Sequence, residues 1–200
     1  ESQYVFTRLC SRTVVSWTAL ISGYVEHGPS VEALNYFDEM QAEGVIPDAA
    51  LFSCVLKACA SAKASAKGQE IHAQIVRNVS LHKDVIVGNA LLDMYAKCGD
   101  LNKAKEVFDR LPIQSIGSWN ALIYGYAKKE HFELAFNCFE EMQREGFSPN
   151  EVTLISVLKV YSSIQAINKS MKIHNEMVDR SLFGKDITLC NALVDMYAKC

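Results

Sequence analysis

Proline, long apolar runs and an excess of positive charge are scarce or missing in this sequence, and each gap excludes a class of protein. Only four of the 200 residues are proline while half are hydrophobic, a composition that suits packed helices and excludes a disordered chain. No apolar run approaches the roughly 20 residues needed to span a bilayer, and no signal-like segment opens the sequence. The net charge of −3 argues against a protein that grips duplex nucleic acid through its phosphates.

The cysteines and histidines form no metal or disulfide framework. The cysteines are odd in number, seven, and no two have Cys-x-x-Cys spacing, so neither a disulfide framework nor a zinc site is indicated. We interpret them as small buried hydrophobic residues in a reducing compartment. His72 and His174 occur one per long block with no co-ligand nearby, so we expect neither a metal site nor another cofactor.

One long segment of the chain occurs twice in strict register. The line VVSWTALISGYVEHGPSVEALNYFDEMQAEGVIPD at 14–48 returns at 116–150, displaced by 102 residues, as in Trp17 and Trp119. Repetition at a fixed offset is the signature of a repeat array, in which the core is buried between neighbouring units. We therefore expect stability to be shared between neighbours, with residues such as Met94, Trp119 and Phe139 in the core.

Each 102-residue block divides into three shorter units. Their expected bounds are 14–48, 49–84 and 85–115, then 116–150, 151–186 and 187–200, preceded by the end of another unit at 1–13. NALLDMYAKC at 89–98 returns as NALVDMYAKC at 191–200, which aligns the third units. We expect the chain to start and stop inside repeats, with any targeting segment lying elsewhere.

Within the first full unit, apolar residues recur at the spacing of a helix. The stripe consists of Trp17, Leu20, Ile21, Tyr24 and Val25. The segment GPS at 28–30 ends this helix and starts another, with Ser30 available as a cap, and Gly44 suits a left-handed C-terminal residue. The other units follow the same plan, and no segment alternates long enough to predict a strand. We predict an all-α fold, an α-solenoid of helical hairpins.

The residues of these units strongly resemble the pentatricopeptide repeat family. Helical hairpins of about 34 residues also occur in tetratricopeptide repeats, but the line VVSWTALISGY…EALNYFDEMQAEGVIPD favours the former. The unit lengths of 35, 36 and 31 residues resemble the plant P-L-S subclass. GQEIHAQIVRN at 68–78 resembles the L-type helix, and VGNALLDMYAKCGDLNKAKEVFDRLP at 87–112 the S-type unit. The resemblance implies units in the order P, L, S, P, L, S that wind into a right-handed superhelix.

The resemblance also implies single-stranded RNA as the ligand, with about one base per repeat contacted by two or three side chains. In the family, the fifth residue of the first helix and the last residue of the repeat contact the base edge. The corresponding pairs are Thr18 with Asp48, which implies guanine, Asn89 with Ser115, which implies cytosine, and Asn120 with Asn150, which implies a pyrimidine. Asn191 holds the fifth position of the final, partial unit.

The second residue of each repeat packs against base faces in the family. Val15 and Ile86 suit that role, whereas Gly117 at the equivalent place does not. The fifth residue of the L-type units is Ser53 or Ile155. Because isoleucine has no hydrogen-bonding side-chain atom, we expect no base to be recognised at Ile155.

A local basic stripe is expected beside the base-contacting residues. Its lysines are Lys97, Lys128 and Lys199 at position thirteen of the first helix, and Lys57 and Lys159 at position nine of the L-type units. Positions five, nine and thirteen lie four apart and share one helical face, so we assign Lys97 and Lys128 to RNA binding. The alternative is an ordinary i, i+4 ion pair of Asp93 with Lys97. The first unit departs from the pattern, with Glu26 at position thirteen.

Some of these assignments have a simpler structural alternative. Asn89 and Asn191 lie near a helix start, where asparagine commonly caps, and Asp48 is suited to a turn. The repeat framework favours base contact for all three.

The P-L-S resemblance implies C-to-U RNA editing in a mitochondrion or chloroplast as the process served. The deaminase signature H-x-E followed by P-C-x-x-C is absent from this chain, so we expect no catalysis from it. A second hypothesis is a protein-interaction scaffold, because L-type units resemble docking sites for accessory editing factors and apolar Ile155 favours this locally. A third is an RNA-binding role in organellar splicing, transcript stability or ribosomes, which would use the same contacts.

Overall fold

The structure, a computed structural model, describes residues 2–9, 11–163, 167–179 and 187–199. Across these ranges the regular structure is helical and no strand occurs, which confirms the predicted all-α fold. In chain order the helices are α1 (Ser2–Thr7), α2 (Val14–His27), α3 (Ser30–Ala42), α4 (Ala49–Ala62), α5 (Ser65–Val76), α6 (Val79–His82), α7 (Val85–Cys98), α8 (Leu101–Arg110), α9 (Ile116–Lys128), α10 (Phe132–Arg144), α11 (Glu151–Ser163), α12 (Ile167–Asp179) and α13 (Ile187–Lys199). In the described ranges, no helix is both long and apolar enough to cross a membrane.

The chain divides into two compact units, an N-terminal unit, Glu1–Ile113, and a C-terminal unit, Gln114–Cys200. In the N-terminal unit, α2 packs on α3, α4 on α5 and α7 on α8, and α4 lies between α2 and α7. Because α4 has a neighbour on both sides, most of the apolar residues between Leu51 and Ala60 are buried. Those with no exposed surface are Leu51, Val55, Leu56, Ala58 and Cys59. Burial between neighbouring hairpins is what the repeat pattern predicts.

The C-terminal unit follows the same plan. Helix α9 packs on α10, α11 contacts α10 and α12, and α11 lies between α9 and α13. Trp119 and Phe139 are buried here, and Met94 is buried in the N-terminal unit. These three residues are therefore core residues, as predicted.

Serine-based capping boxes begin the first helices α2 and α9. Thr13 N donates to Ser16 Oγ at 2.9 Å, and Ser16 N donates to Thr13 Oγ1 at 3.4 Å. Ser115 and Ser118 make the same reciprocal pair, at 2.9 and 3.2 Å. Each box satisfies two backbone N–H groups that a helix start would leave without partners, so the chain enters the helix one residue after the cap.

Two predictions about helix ends have different outcomes. Ser30 is not a cap, because α3 begins at Ser30 itself and Pro29, which has no side-chain donor or acceptor, holds the capping position. Gly44 does adopt the predicted left-handed conformation, with φ of +76°, a region that side chains with a Cβ rarely enter. Its counterpart Gly146 has φ of +85°.

The one-turn helix α6, between α5 and α7, was not predicted from the sequence. Asn78 begins it, because its Oδ1 accepts hydrogen bonds from Ser80 N at 3.2 Å and Leu81 N at 3.4 Å. Because local hydrogen bonds from a side chain to the backbone start this turn, and no apolar stripe does, the sequence shows no periodicity that would predict it.

The first helix of every expected unit begins at the residue where the sequence places the start of that unit. These residues are Val14, Ala49, Val85, Ile116, Glu151 and Ile187. The assignment of the units to P, L and S types stays a prediction.

The cysteines are packing residues to different degrees. The described ones are buried at two positions and half-buried at three, namely Cys59 and Cys138, then Cys54, Cys98 and Cys190. Burial raises the pKa of the Cys59 thiol to about 12 and raises the pKa of Cys54 and Cys98 above the ordinary value. These three thiols therefore stay protonated at neutral pH. Cys10 and Cys200 lie outside the described residues.

Candidate nucleic-acid interface

In the C-terminal unit, the fifth residue of α9 and the last residue of its expected repeat touch each other. Asn120 Nδ2 donates a hydrogen bond of 3.0 Å to Asn150 Oδ1, although 30 residues separate them in sequence. Both side chains are half-buried. The fold therefore brings together two residues that the resemblance assigns to a single base.

Thr153, in the first turn of α11, completes a three-residue network with this pair. Thr153 N donates to Asn150 Oδ1 at 3.1 Å, so Asn150 caps α11. The Thr153 hydroxyl lies 2.6 Å from Asn120 Oδ1 and 2.9 Å from Asn150 Oδ1, and the residue is fully buried. Sequence reasoning missed Thr153. The available signal was a hydroxyl at the third helical position after an asparagine cap.

The equivalent pair of the N-terminal unit, Thr18 and Asp48, is arranged differently. Thr18 Oγ1 donates to Val14 O of its own helix at 2.7 Å. Asp48 Oδ1 accepts from Leu51 N at 2.8 Å and caps α4. Leu51, which stands in the place of Thr153, is fully buried and has no hydroxyl. Asp48 is exposed, and its cap uses one carboxylate oxygen, which leaves the other facing no hydrogen-bond donor of the described chain.

Asn89 is not a helix cap, so the capping alternative is wrong for this residue. The cap of α7 is Asp84, whose Oδ1 accepts from Ile86 N at 2.8 Å and from Val87 N at 3.0 Å. Asn89 is the fifth residue of the helix, and its buried Oδ1 has no hydrogen-bond partner among the described residues. A buried amide oxygen without a donor is uncommon in proteins.

The remaining predicted base-contacting residues also have clear positions. Ser115 caps α9 from the C-terminal unit and is half-buried. Asn191 is the fifth residue of α13 and is exposed, so it does not cap that helix either.

Apolar side chains at the second position of the first helices point into solvent. Val15 is 73% exposed and Ile86 is 66% exposed, as a contact with a base face requires. Val152 holds the same position in α11 and is 55% exposed, but sequence reasoning did not select it. Gly117 is exposed and offers no side chain there. Exposed aliphatic groups therefore recur at one helical position in α2, α7 and α11.

The two lysines assigned to RNA binding have different partners. Lys97 Nζ lies 2.8 Å from Asp93 Oδ2, which is the i, i+4 pair that the sequence offered as an alternative. Lys128 Nζ instead lies 3.2 Å from Tyr124 Oη and 5.3 Å from the centre of the Tyr124 ring. In the described ranges no acidic group comes within ion-pair distance of Lys128. Its positive charge is therefore less neutralised than that of Lys97.

Tyr124 is a second residue that sequence reasoning missed. It occupies position nine of α9, between Asn120 and Lys128 on one helical face, and is 37% exposed. The three side chains place an amide, an aromatic ring and a cation in one line. The spacing of four residues was the signal that could have found it.

The recurrent histidines have a packing explanation. His72 Nδ1 lies 2.8 Å from Tyr95 Oη, and His174 Nδ1 lies 3.0 Å from Tyr197 Oη. Each pair joins the second helix of one hairpin to the first helix of the next. Within the described part of the chain, no group of three or more His, Cys, Asp or Glu residues is arranged to hold a metal ion.

Comparison with known proteins finds repeats of one family in both blocks of the sequence. A sequence model described as the PPR repeat family matches residues 12–61 and 114–163, and one described as a PPR repeat matches 89–113. The two longer matches cover equivalent parts of the two blocks.

Curated relatives match nearly the whole chain. Three pentatricopeptide repeat-containing proteins of Arabidopsis thaliana illustrate this. One is 37% identical over 201 residues, covering 100% of this chain and 29% of the relative. A mitochondrial relative is 34% identical, and the match covers 100% of this chain and 26% of the relative. A chloroplastic relative is 35% identical, and the match covers 98% of this chain and 23% of the relative. The chain thus spans about a quarter of the length of these relatives.

Solved structures share the fold. PPR10, in complex with an 18-nt psaJ RNA element, superposes with a TM-score of 0.70 at 22% identity, over 86% of this chain and 26% of that chain. The PPR domain of Arabidopsis thaliana protein-only RNase P 1, in complex with tRNA, gives a TM-score of 0.68 at 17% identity, over 90% and 96%. These likenesses confirm the predicted architecture of stacked helical hairpins.

Proposed function

The chain belongs to the pentatricopeptide repeat family, and on that premise we propose that it binds single-stranded RNA through base-selective contacts made by successive repeats. The observation that carries the proposal is the contact between Asn120 and Asn150. Residues 30 apart converge at the junction of two hairpins, where two amides can meet one unpaired base.

The chemistry of each pair supports a different base. Amides carry both donors and acceptors, which suits Asn120 with Asn150 to a pyrimidine edge. The second oxygen of Asp48 is an acceptor, which beside Thr18 suits the N–H groups that guanine presents. Asn89, whose amide carries an acceptor and two donors, is assigned to cytosine by the family resemblance, with Ser115 as the second member of the pair.

Contacts outside the base edge come from two further groups. The exposed second-position residues Val15 and Ile86 offer apolar surface to base faces. Lys128 offers a charge to the phosphate backbone, and Tyr124 beside it offers a ring. Lys97 contributes less in this proposal, because Asp93 already neutralises it.

The process served is RNA metabolism in an organelle. Relatives in Arabidopsis thaliana are named as mitochondrial and as chloroplastic proteins, which supports either compartment. The order of unit lengths supports site recognition for C-to-U editing in particular. Organellar splicing, transcript stabilisation and ribosome service would use the same RNA contacts, with catalysis, where needed, supplied by something other than these repeats.

The proposal is tested by selecting RNAs from a random single-stranded pool with the 200-residue chain, since every base is then offered at every position of the site. Sequencing should reveal guanine for Thr18/Asp48, cytosine for Asn89/Ser115 and no preference at Ile155. Anisotropy titrations with RNAs changed at one base then measure each preference. A chain that is folded by circular dichroism but binds RNA weakly and without sequence preference would contradict the proposal.

That contradictory result would favour the second candidate, a scaffold for organellar editing factors at the L-type units. Its support is local: Val76 and Val178 occupy equivalent positions of α5 and α12 and are both about half exposed, at 48% and 52%. Ile155 itself is half-buried and offers less surface than the sequence suggested. Co-purification of a protein partner without RNA is the result expected of a scaffold.

A further inference from the structure

Thr153 contacts both members of the Asn120/Asn150 pair from the following hairpin. Besides the contacts from its hydroxyl to the two amide oxygens, its Oγ1 accepts a hydrogen bond of 3.2 Å from Asn150 N. The side chain has no exposed surface, so its hydroxyl makes these hydrogen bonds away from competing water.

The hydroxyl has a single proton, and the network decides where it goes. Asn150 Oδ1 already accepts from Thr153 N at 3.1 Å and from Asn120 Nδ2 at 3.0 Å. The proton therefore goes to Asn120 Oδ1, which is also the nearer acceptor at 2.6 Å. Every donor and acceptor in this assignment is used once or within its capacity.

This arrangement fixes the orientation of both amides. Rotating the Asn150 amide by half a turn would set its NH₂ group against the Thr153 backbone N–H. Rotating the Asn120 amide would set its oxygen against Asn150 Oδ1. Each rotation puts like groups together and loses hydrogen bonds, so one orientation of the pair is strongly preferred.

We propose that Thr153 is a positioning residue that holds the Asn120 and Asn150 amides in one orientation and thereby sharpens base discrimination by this repeat. In that orientation Asn150 Nδ2 makes no hydrogen bond among the described residues and keeps its two protons for a ligand. A carbonyl oxygen such as O2 of a pyrimidine accepts such donors. The inference rests on the proposed RNA binding and assigns a role to a residue that does not itself touch the base.

Three other first helices of this chain lack the hydroxyl that Thr153 provides in α11. They have an apolar residue at the third position, namely Leu51 in α4, Val87 in α7 and Leu189 in α13, whereas α2 and α9 have Ser16 and Ser118 there. The fold therefore accepts an apolar residue at this position. Thr153→Val keeps the shape of the side chain and removes only the hydroxyl. Thr153→Leu reproduces the residue of the first block and provides a second variant should the valine variant fold poorly.

The experiment measures base selectivity with the 200-residue chain. Pool selection with the unmodified chain first identifies the RNA position with the pyrimidine preference. Anisotropy titrations then compare RNAs carrying each base there. We expect Thr153→Val to lower the ratio of pyrimidine to purine affinity about threefold to tenfold at this one position, as for loss of a single buried hydrogen bond, and Thr153→Ser to restore it.

Ser16→Ala is the matched control, because Ser16 closes the capping box of α2 without contacting a fifth-position residue. It should reduce stability to a similar degree and leave selectivity at this position unchanged. Unchanged selectivity in both Thr153→Val and Thr153→Leu would overturn the inference while leaving RNA binding intact. Absence of any base preference in the unmodified chain would overturn the proposed function itself.

Discussion

Residues 14–48 and 116–150 have almost the same core and different candidate ligand surfaces. Trp17 and Trp119 are both buried, and so are Phe37 and Phe139. The surface positions diverge: Thr18, Asp48 and Glu26 in the first copy correspond to Asn120, Asn150 and Lys128 in the second. Packing between hairpins constrains the buried residues of both copies alike, whereas side chains facing a ligand are free to vary with the base they contact.

The largest effect on stability is expected from replacing a core residue that the two copies share. Phe37→Ala and Phe139→Ala each remove a buried ring, and each should cost about 3–5 kcal/mol of unfolding free energy. Urea denaturation followed by circular dichroism measures both. A small loss in one variant beside a large loss in the other would show that the two cores are not equivalent.

Exchanging the fifth residues sharpens the comparison at the candidate interface. Thr18→Asn should relax the guanine preference at one RNA base by about tenfold, and Asn120→Thr should weaken the pyrimidine preference of the second copy by a similar factor. Anisotropy with RNAs that differ at a single base measures the ratios. Ile155→Val, at a position with no expected base contact, is the control. Unchanged selectivity in both exchanged variants would contradict the assignment of the fifth position.

Exchanging the charge at position thirteen should change RNA affinity the least, and by the same factor for every RNA sequence. Lys128→Ala should weaken RNA binding without altering base preference and reduce the slope of log K against log salt by about 0.7, the value for one phosphate contact to a single strand. Glu26→Lys should strengthen binding in the first copy. Lys97→Ala should change the slope less, because Asp93 already pairs with Lys97. Equal slopes for the three variants would contradict this ranking.

Sequence reasoning was most successful where one residue property decides the outcome. Helical periodicity and strict repetition predicted the hairpins, the burial of Trp119 and Phe139 and the left-handed Gly44. It was wrong about Ser30 as a cap, since the helix begins one residue after Pro29. It also offered capping for Asn89, which the structure excludes because Asp84 performs that role.

Each residue that sequence reasoning missed gains its proposed role from one neighbouring side chain. Thr153 looks like an ordinary first-turn residue until α9 and α11 are placed side by side and its hydroxyl meets Asn120. The proposed role of Tyr124 depends on the contact between its ring and Lys128. Lys97 looked equivalent to Lys128, and the difference depends on whether an aspartate or a tyrosine lies one turn earlier.

The sequence by itself determined the family, the helical hairpins and the positions that are candidates for base contact, because periodicity and repetition are local properties of the chain. The tertiary structure decided which candidates meet. Packing of successive first helices brings Asn120, Asn150 and Thr153 into one hydrogen-bonded network, whereas Thr18 is hydrogen-bonded within its own helix. Side-chain orientation depends on groups that only folding brings within hydrogen-bonding distance.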